Sequence, residues 1–380
     1  MEHREDMSAN LHGEPGSGEF CASSDSFPIP VPPMQLGPPR GHGLFWKVFF
    51  SSLFMVFIFV AIFQTKVLGA PTFQDMNIPP LSFKNEGKNE EGDDLLMQKY
   101  IDYYGFNLDQ TSHHFGFFRF SNFKIFSHGF ILPESKGTVL MLHGYFDHSG
   151  TMAKLVQACI HAGVSVVTLD LPGHGLSSGE RGHISDFSLY SGMLEAFVED
   201  YGEFLPQPLH MMGFSTGGGI VYDFIRREER ELVDKIVLIS PLVRLKKWPL
   251  LKFLVPFTDI FFDYLPRVYA ESSSDESFMA FLKSDPLELD AVSIGWLDSV
   301  FAWNEDIGRQ KNGPLVFKDV LVIQGTKDEV VDWKYNLSFL EERIEGIRIE
   351  IIGGARHHVA NEAMRIRQEA FGKAIHFLLE

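Results

Sequence analysis

Met211-Met212-Gly213-Phe214-Ser215-Thr216-Gly217-Gly218-Gly219 is the stretch on which the reading of this 380-residue chain turns. It contains Gly-x-Ser-x-Gly. Upstream, Pro208-Leu209-His210-Met211-Met212 is a short apolar run that reads as a buried strand. Downstream, Ile220-Val221-Tyr222-Asp223-Phe224-Ile225-Arg226-Arg227 reads as the opening of a helix. Strand, sharp turn and helix form the context that a nucleophile elbow requires. The glycines let the backbone turn tightly without a Cβ clash. The pentapeptide is common by chance, so its meaning depends on what surrounds it.

Outward from the elbow, strands alternate with helices. Residues 138–142 read as a buried strand, followed by the loop His143-Gly144-Tyr145-Phe146-Asp147-His148-Ser149-Gly150. A helix over 152–161 follows, with Gly163 as its C-cap. Residues 164–170 form the next strand and lead into a loop over 171–179 rich in Gly and Pro. An amphipathic helix is expected over 187–205, capped by Ser185 or Asp186, and another strand over 235–240. This alternation implies an α/β fold with a mostly parallel sheet and helices on both faces. It breaks at Pro241 and resumes at Val320. A plain crossover needs only about a dozen residues, so about 241–312 is expected to be a helical cap insertion over one end of the sheet. Strands follow over 319–325 and 347–352, and a closing helix over 360–379. Ahead of the core, 94–104 has helical spacing, and 115–130 reads as one or two antiparallel strands.

The N-terminal region differs in composition. Residues 1–43, rich in Gly, Pro and Ser, read as a disordered tail. Residues 44–63 (LFWKVFFSSLFMVFIFVAIF) carry one charge, Lys47. About 20 residues of helix span the hydrocarbon of a bilayer, so this stretch reads as a transmembrane anchor, with a cleaved signal segment as the alternative. Residues 64–93 are a linker, and the catalytic domain is expected over 94–380. Arg40 and Lys47 on the N-terminal flank, against Lys66 alone after the span, favour a single-pass membrane protein with the domain on the non-cytoplasmic side. Signal cleavage would instead export it. A net charge of −17 argues against a nucleic-acid partner. Two cysteines, Cys21 and Cys159, build no disulfide framework. No feature fixes an oligomeric state.

A serine hydroxyl needs a general base, and the base needs a third group to hold its tautomer. Asp328 follows the strand over 320–324, with Asp332 a little further on; either could instead cap the next helix. His357 and His358 follow the strand over 347–352, and adjacent side chains point in different directions, so one of them faces Ser215. The order Ser215, Asp328, His357 is that of α/β-hydrolases. Oxyanion donors are expected from the backbone N–H of Thr216 and, in the loop after the first core strand, of Tyr145. His143, His148, His174 and His183 lack zinc-ligand spacing, and His113 and His114 have no Cys or carboxylate partner at ligand spacing. Serine chemistry calls for no metal or other cofactor.

These residues resemble the α/β-hydrolases of the monoacylglycerol lipase and bacterial lysophospholipase group, also grouped with serine aminopeptidase-like hydrolases. The resemblance runs from about Leu95 to Glu380. It is carried by Gly137-Thr-Val-Leu-Met-Leu-His-Gly-Tyr-Phe-Asp-His-Ser-Gly150, Asp170-Leu-Pro-Gly-His-Gly-Leu-Ser-Ser-Gly-Glu-Arg181, Ser240-Pro-Leu-Val-Arg244, Ser284-Asp-Pro-Leu287 and Gly354-Ala-Arg-His-His-Val-Ala-Asn-Glu362. It implies Ser215 as nucleophile, His357 as base and Asp328 as its orienting acid. The chain departs from the group in reading Gly-Phe-Ser-Thr-Gly, where many relatives have Gly-His-Ser-Met-Gly, and in carrying Gly192 where an aspartate is frequent. The implied activity is hydrolysis of lipid-like carboxylic esters such as lysophospholipids or monoacylglycerols. A peptidase, a small-ester carboxylesterase and a non-catalytic binding protein are the alternatives.

Overall fold

Neighbouring residues of the central strands bury on opposite sides of one sheet, and this alternation organises the molecule. The computed structural model describes residues 78–83, 93–227, 232–258, 261–309, 315, 317 and 319–380. All belong to the second of two units, Thr65–Glu380; the first, Met1–Gln64, lies outside the described residues. The described chain runs through α1 (Asp93–Tyr104), β1 (Ser112–Phe120), β2 (Phe123–Ile131), β3 (Thr138–Leu142), α2 (Ala153–His161), β4 (Ser165–Leu169), α3 (Ser188–Tyr201), β5 (Leu209–Phe214), α4 (Thr216–Arg227) and β6 (Ile236–Ile239). Next come α5 (Trp248–Thr258), β7 (Tyr264–Pro266), α6 (Glu276–Ser284), β8 (Ala291–Ser293) and α7 (Ile294–Arg309). The chain closes with β9 (Val320–Gly325), α8 (Trp333–Arg343), β10 (Arg348–Ile352) and α9 (Met364–Leu379).

Eight strands form one sheet in the order β1-β2-β4-β3-β5-β6-β9-β10. The pairs β1/β2 and β2/β4 are antiparallel and the rest are parallel. Leu140, Leu142, Met211, Leu238 and Val322 enter one core, closed by α3, α4 and α8. Val139, Met141, Met212, Val237 and Ile323 enter the other, closed by α1, α2 and α9. The parallel run brings the loops after β3, β5, β6, β9 and β10 to one rim, where open α/β sheets bind ligands.

The sequence patterns miss in instructive places. α4 begins at Thr216, earlier than the apolar periodicity suggests, because Gly217, Gly218 and Gly219 have no side chains to show a face. The insertion is not wholly helical. β7 and β8 form a small antiparallel sheet, and three-residue strands are too short to display alternation.

The expected span at 44–63, and the signal segment that was its alternative, lie outside the described residues. Among the described residues no helix is long and apolar enough to cross a membrane. The two longest helices described, α7 and α9, have 16 residues each, against the roughly 20 that a bilayer core requires. This corrects the single-pass, non-cytoplasmic localisation expected from the sequence.

Asp285, in Ser284-Asp-Pro-Leu287, fastens the insertion to the sheet. Its carboxylate accepts from Tyr104 Oη at 2.7 Å, His148 Nε2 at 3.0 Å and the Leu287 amide at 2.9 Å. Burial would raise the Asp285 carboxyl, but the His148 charge and hydrogen bond outweigh it and hold it below the usual carboxylate range. Burial likewise opposes a charged His148, and Asp285 outweighs it, so His148 is raised. The pair's contribution is therefore complete between the ordinary values of 3.8 and 6.5. It fades as pH falls through the depressed Asp285 value or rises through the raised His148 value. Asp285→Ala strands a buried imidazole and is expected to cost about 3–5 kcal/mol. Urea unfolding should show the largest gap from wild type inside that window and a smaller one in alkali.

Candidate active site

Ser215 sits between β5 and α4 at φ +53°, a left-handed conformation that non-glycine residues rarely adopt. Its neighbours hold it there: the Ser215 N–H donates to Ile239 O at 2.9 Å, and Ser215 O accepts from Gly219 N at 3.1 Å and Leu242 N at 2.9 Å. Such a conformation costs on the order of 1–3 kcal/mol. The flanking glycines are required by close approach. A Cβ on Gly213 would lie 2.3 Å from Gly217 O, and one on Gly217 would lie 2.5 Å from Leu142 O. Both obstacles are backbone, so Gly213→Ala is expected to cost about 3 kcal/mol or more in denaturant unfolding and to displace the Ser215 hydroxyl.

The loops after β9 and β10 bring two further groups to Ser215. His357 Nε2 lies 2.9 Å from Ser215 Oγ, and His357 Nδ1 lies 2.7 Å from Asp328 Oδ2. A carboxylate only accepts, so Nδ1 carries the proton and Nε2 is left to accept from the serine. Asp328 is buried, and its Oδ1 accepts from the Val330 and Val331 amides at 2.9 and 3.1 Å. Burial alone would raise this carboxyl. His357 beside it and those two amides overcome burial and hold it below the usual range.

The alternatives go elsewhere. His358 Nε2 faces Asp147 Oδ2 at 3.6 Å, with its ring between Phe214 and Phe278. Asp332 precedes α8 without a side-chain capping bond. Cys159 is buried, and burial pushes its thiol up to about 12, which leaves no thiolate at neutral pH.

Tyr145 and Thr216 line a cavity of about 260 Å³ together with Ser215 and His357. Among the described residues neither backbone N–H donates to a protein acceptor. The Tyr145 side chain is pinned away: its hydroxyl donates to Gly182 O at 2.7 Å and accepts from Ser293 N at 2.9 Å. Much of the remaining wall is apolar, including Phe146, Leu245, Met279, Val292, Trp296 and Leu297.

The histidines of the loops do not converge on a centre of their own. His143 accepts from Leu171 N at 2.9 Å and turns its other nitrogen to Gly144 O, tying the loop after β3 to that after β4. Burial lowers its pKa and keeps it neutral. His174 bonds Pro172 O, and His183 bonds Ser293 Oγ. His113 stacks on Phe115 and bonds His128. Among the described residues one group, His148, Asp285 and Glu288, brings possible metal-ligand atoms within 4.8 Å of one another. None of the three lines the Ser215 cavity; His148 Nε2 bonds Asp285 Oδ2, and Glu288 Oε1 accepts from Arg267 Nη1.

Two supporting residues escaped the sequence reading. Gln324 Nε2 donates to Asp328 Oδ2 at 3.1 Å, and Ser240 Oγ donates to His357 O at 2.9 Å. Gln324 had a signal, as a polar residue inside an otherwise apolar strand. Ser240, at φ +45° before Pro241, stood in a segment that carries the resemblance, but with no role attached to it.

Comparison with known proteins agrees with this architecture. The family described as "Serine aminopeptidase, S33" matches residues 133–364, over half of the chain. The monoacylglycerol lipase of Mycolicibacterium smegmatis is 28% identical over 249 residues, covering 60% of this chain and 84% of that protein. The monoglyceride lipase of Homo sapiens is 25% identical over 244 residues, covering 62% of this chain and 80% of its own. Among solved structures, Paleococcus ferrophilus monoacylglycerol lipase aligns with TM-score 0.57 at 25% identity, over 67% of this chain and 98% of that one. The Saccharomyces cerevisiae monoglyceride lipase, solved as a soluble variant with a substrate analogue, shares the fold at TM-score 0.62 and 20% identity, over 72% of this chain and 97% of that one. The chain is a hydrolase of the α/β-hydrolase fold, of monoglyceride lipase type, and belongs to the serine aminopeptidase, S33, family.

Proposed function

We propose that this protein is a serine ester hydrolase that cleaves carboxylic esters of lipid-like substrates, of the lysophospholipid or monoacylglycerol type. The observation that carries the reading is the relay Ser215 Oγ, His357 Nε2, His357 Nδ1, Asp328 Oδ2, at 2.9 and 2.7 Å, on the wall of a largely apolar cavity. Ser215 Oγ attacks the ester carbonyl as its proton passes to His357 Nε2. The imidazolium formed is stabilised by Asp328, whose carboxyl stays ionised. The developing oxyanion takes the N–H groups of Tyr145 and Thr216, a type of contact worth about 3–4 kcal/mol per donor. His357 returns the proton to the leaving alcohol. Water then attacks the acyl-serine with His357 as base, releasing the acid and the free serine.

The apolar wall favours an acyl chain over a peptide. Release of free acid from short-chain and long-chain esters, run beside an aminoacyl amide, tests this. Faster cleavage of the long-chain ester is expected. A preference for the amide would move the assignment to peptidase, and preference for the shortest ester would move it to a small-ester carboxylesterase.

A further inference from the structure

We propose that Arg267 reads an anionic head group, so that the preferred ester carries a phosphate on the alcohol side of the bond that Ser215 breaks. The proposal rests on the ester-hydrolase reading above. Arg267 directly follows β7 and is fixed through its backbone, whose N–H donates to Asp290 O at 3.0 Å. Its side chain is only 6% exposed, yet it lines the same cavity as Ser215 and His357. The guanidinium lies 4.0 Å from the Phe146 ring centre and 4.5 Å from that of Tyr269. Nη1 donates to Glu288 Oε1 at 2.6 Å and to Leu289 O at 3.0 Å.

That leaves Nε and Nη2. Among the described residues these donate to no protein acceptor, and neither belongs to the sealed, unpaired polar atoms of the interior. Three N–H bonds in one plane are thus unused on a side chain that lines the cavity and is flanked by two aromatic rings. A planar fork of this kind matches two oxygens of a single phosphate, whereas a glycerol hydroxyl can use only one arm of it.

The other carboxylates on this wall have partners of their own. Asp147 on the same wall faces His358, and Glu329 is paired with Lys246. Glu288 engages only the Nη1 arm of the guanidinium, at 2.6 Å, and leaves the Nε and Nη2 side of the fork unoccupied. The simpler role for Arg267 is to fasten the insertion through Glu288, with water on the remaining donors. That role predicts no discrimination between head groups.

The test is the ratio of kcat/KM for a 1-acylglycerol 3-phosphate to that for the 1-acylglycerol of the same chain, both below their aggregation concentrations. In wild type the ratio is expected to exceed one by about tenfold or more, as befits a charge-assisted bidentate contact. Arg267→Gln should cut the ratio by about 10- to 100-fold, and Arg267→Lys, which keeps the charge and loses the fork, by less. A fastener moves both substrates in parallel, so an unchanged ratio in both variants overturns the proposal. A wild-type ratio at or below one overturns it too, whether or not the variants fold. A fluorophosphonate probe separates this from failure of the underlying reading. Enzyme that is labelled at Ser215 but prefers the neutral ester refutes the role of Arg267 alone. Enzyme that is not labelled, and cleaves neither ester, refutes both.

Discussion

Ser215→Ala is expected to lower kcat on any ester substrate by about a millionfold while the protein stays folded. The size follows from interdependence. Without the hydroxyl, the proposed base His357 has no proton to take and the Asp328 carboxylate no imidazolium to stabilise, and removing the nucleophile of a triad costs about as much as removing all three members. What survives is the roughly 10³–10⁴-fold advantage over water that the oxyanion donors and binding give alone. Folding should be preserved because what holds residue 215 in place is backbone: the bonds to Ile239 O, Gly219 N and Leu242 N do not involve the side chain. Turnover of a chromogenic ester beside a urea unfolding curve checks both halves. A variant that keeps more than about a tenth of the activity contradicts the assigned role, because such a residue is not a triad nucleophile.

Asp328→Asn is expected to lower kcat by about 10⁴-fold, through the tautomer of His357. The reason is visible in the donors around the carboxylate. Oδ1 accepts from the Val330 and Val331 amides, and Oδ2 accepts from His357 Nδ1 and Gln324 Nε2. In the asparagine variant the amide oxygen must stay with the two backbone N–H groups, so the NH₂ group turns toward His357. It then donates to Nδ1, the ring proton moves to Nε2, and Nε2 can no longer accept from Ser215. Fluorophosphonate labelling should slow in step with turnover. The same variant changes acid stability. The Asp328 carboxyl is depressed in the fold, so wild type holds a contribution above about pH 4 that is lost as pH falls through the folded value. The asparagine variant has no such contribution to lose, so its unfolding free energy should fall less between pH 5 and pH 3.

Much of the framework was legible because it is written in short-range patterns. The elbow glycines, the apolar strands and the loops at their carboxyl ends all lie within a few residues of one another, and the parallel sheet then carries Ser215, Asp328 and His357 to one rim. What escaped depends on contacts far apart in sequence. The choice between His357 and His358 leaned on resemblance rather than pattern. Both follow the same strand, and only the packing of His358 against Phe214, Phe278 and Asp147 separates them. Asp285 reaches His148 across 137 positions, so its motif could be quoted but not explained. Arg267 stands after a three-residue strand in an insertion without regular periodicity, and nothing local marks it as lining the cavity of Ser215. The apolar stretch at 44–63 had a clear local pattern, but it lies outside the described residues, and the localisation read from it finds no support in the fold.

The central claim is that Ser215 is the nucleophile of an ester-cleaving site. Intact-mass analysis of wild type after exposure to a fluorophosphonate, followed by peptide mapping, tests it most directly. The predicted result is a single phosphonyl adduct on the peptide containing Ser215, blocked when the enzyme is first incubated with a long-chain ester and absent from Ser215→Ala. An adduct on another residue, equal labelling of Ser215→Ala, or unmodified wild-type protein would contradict it.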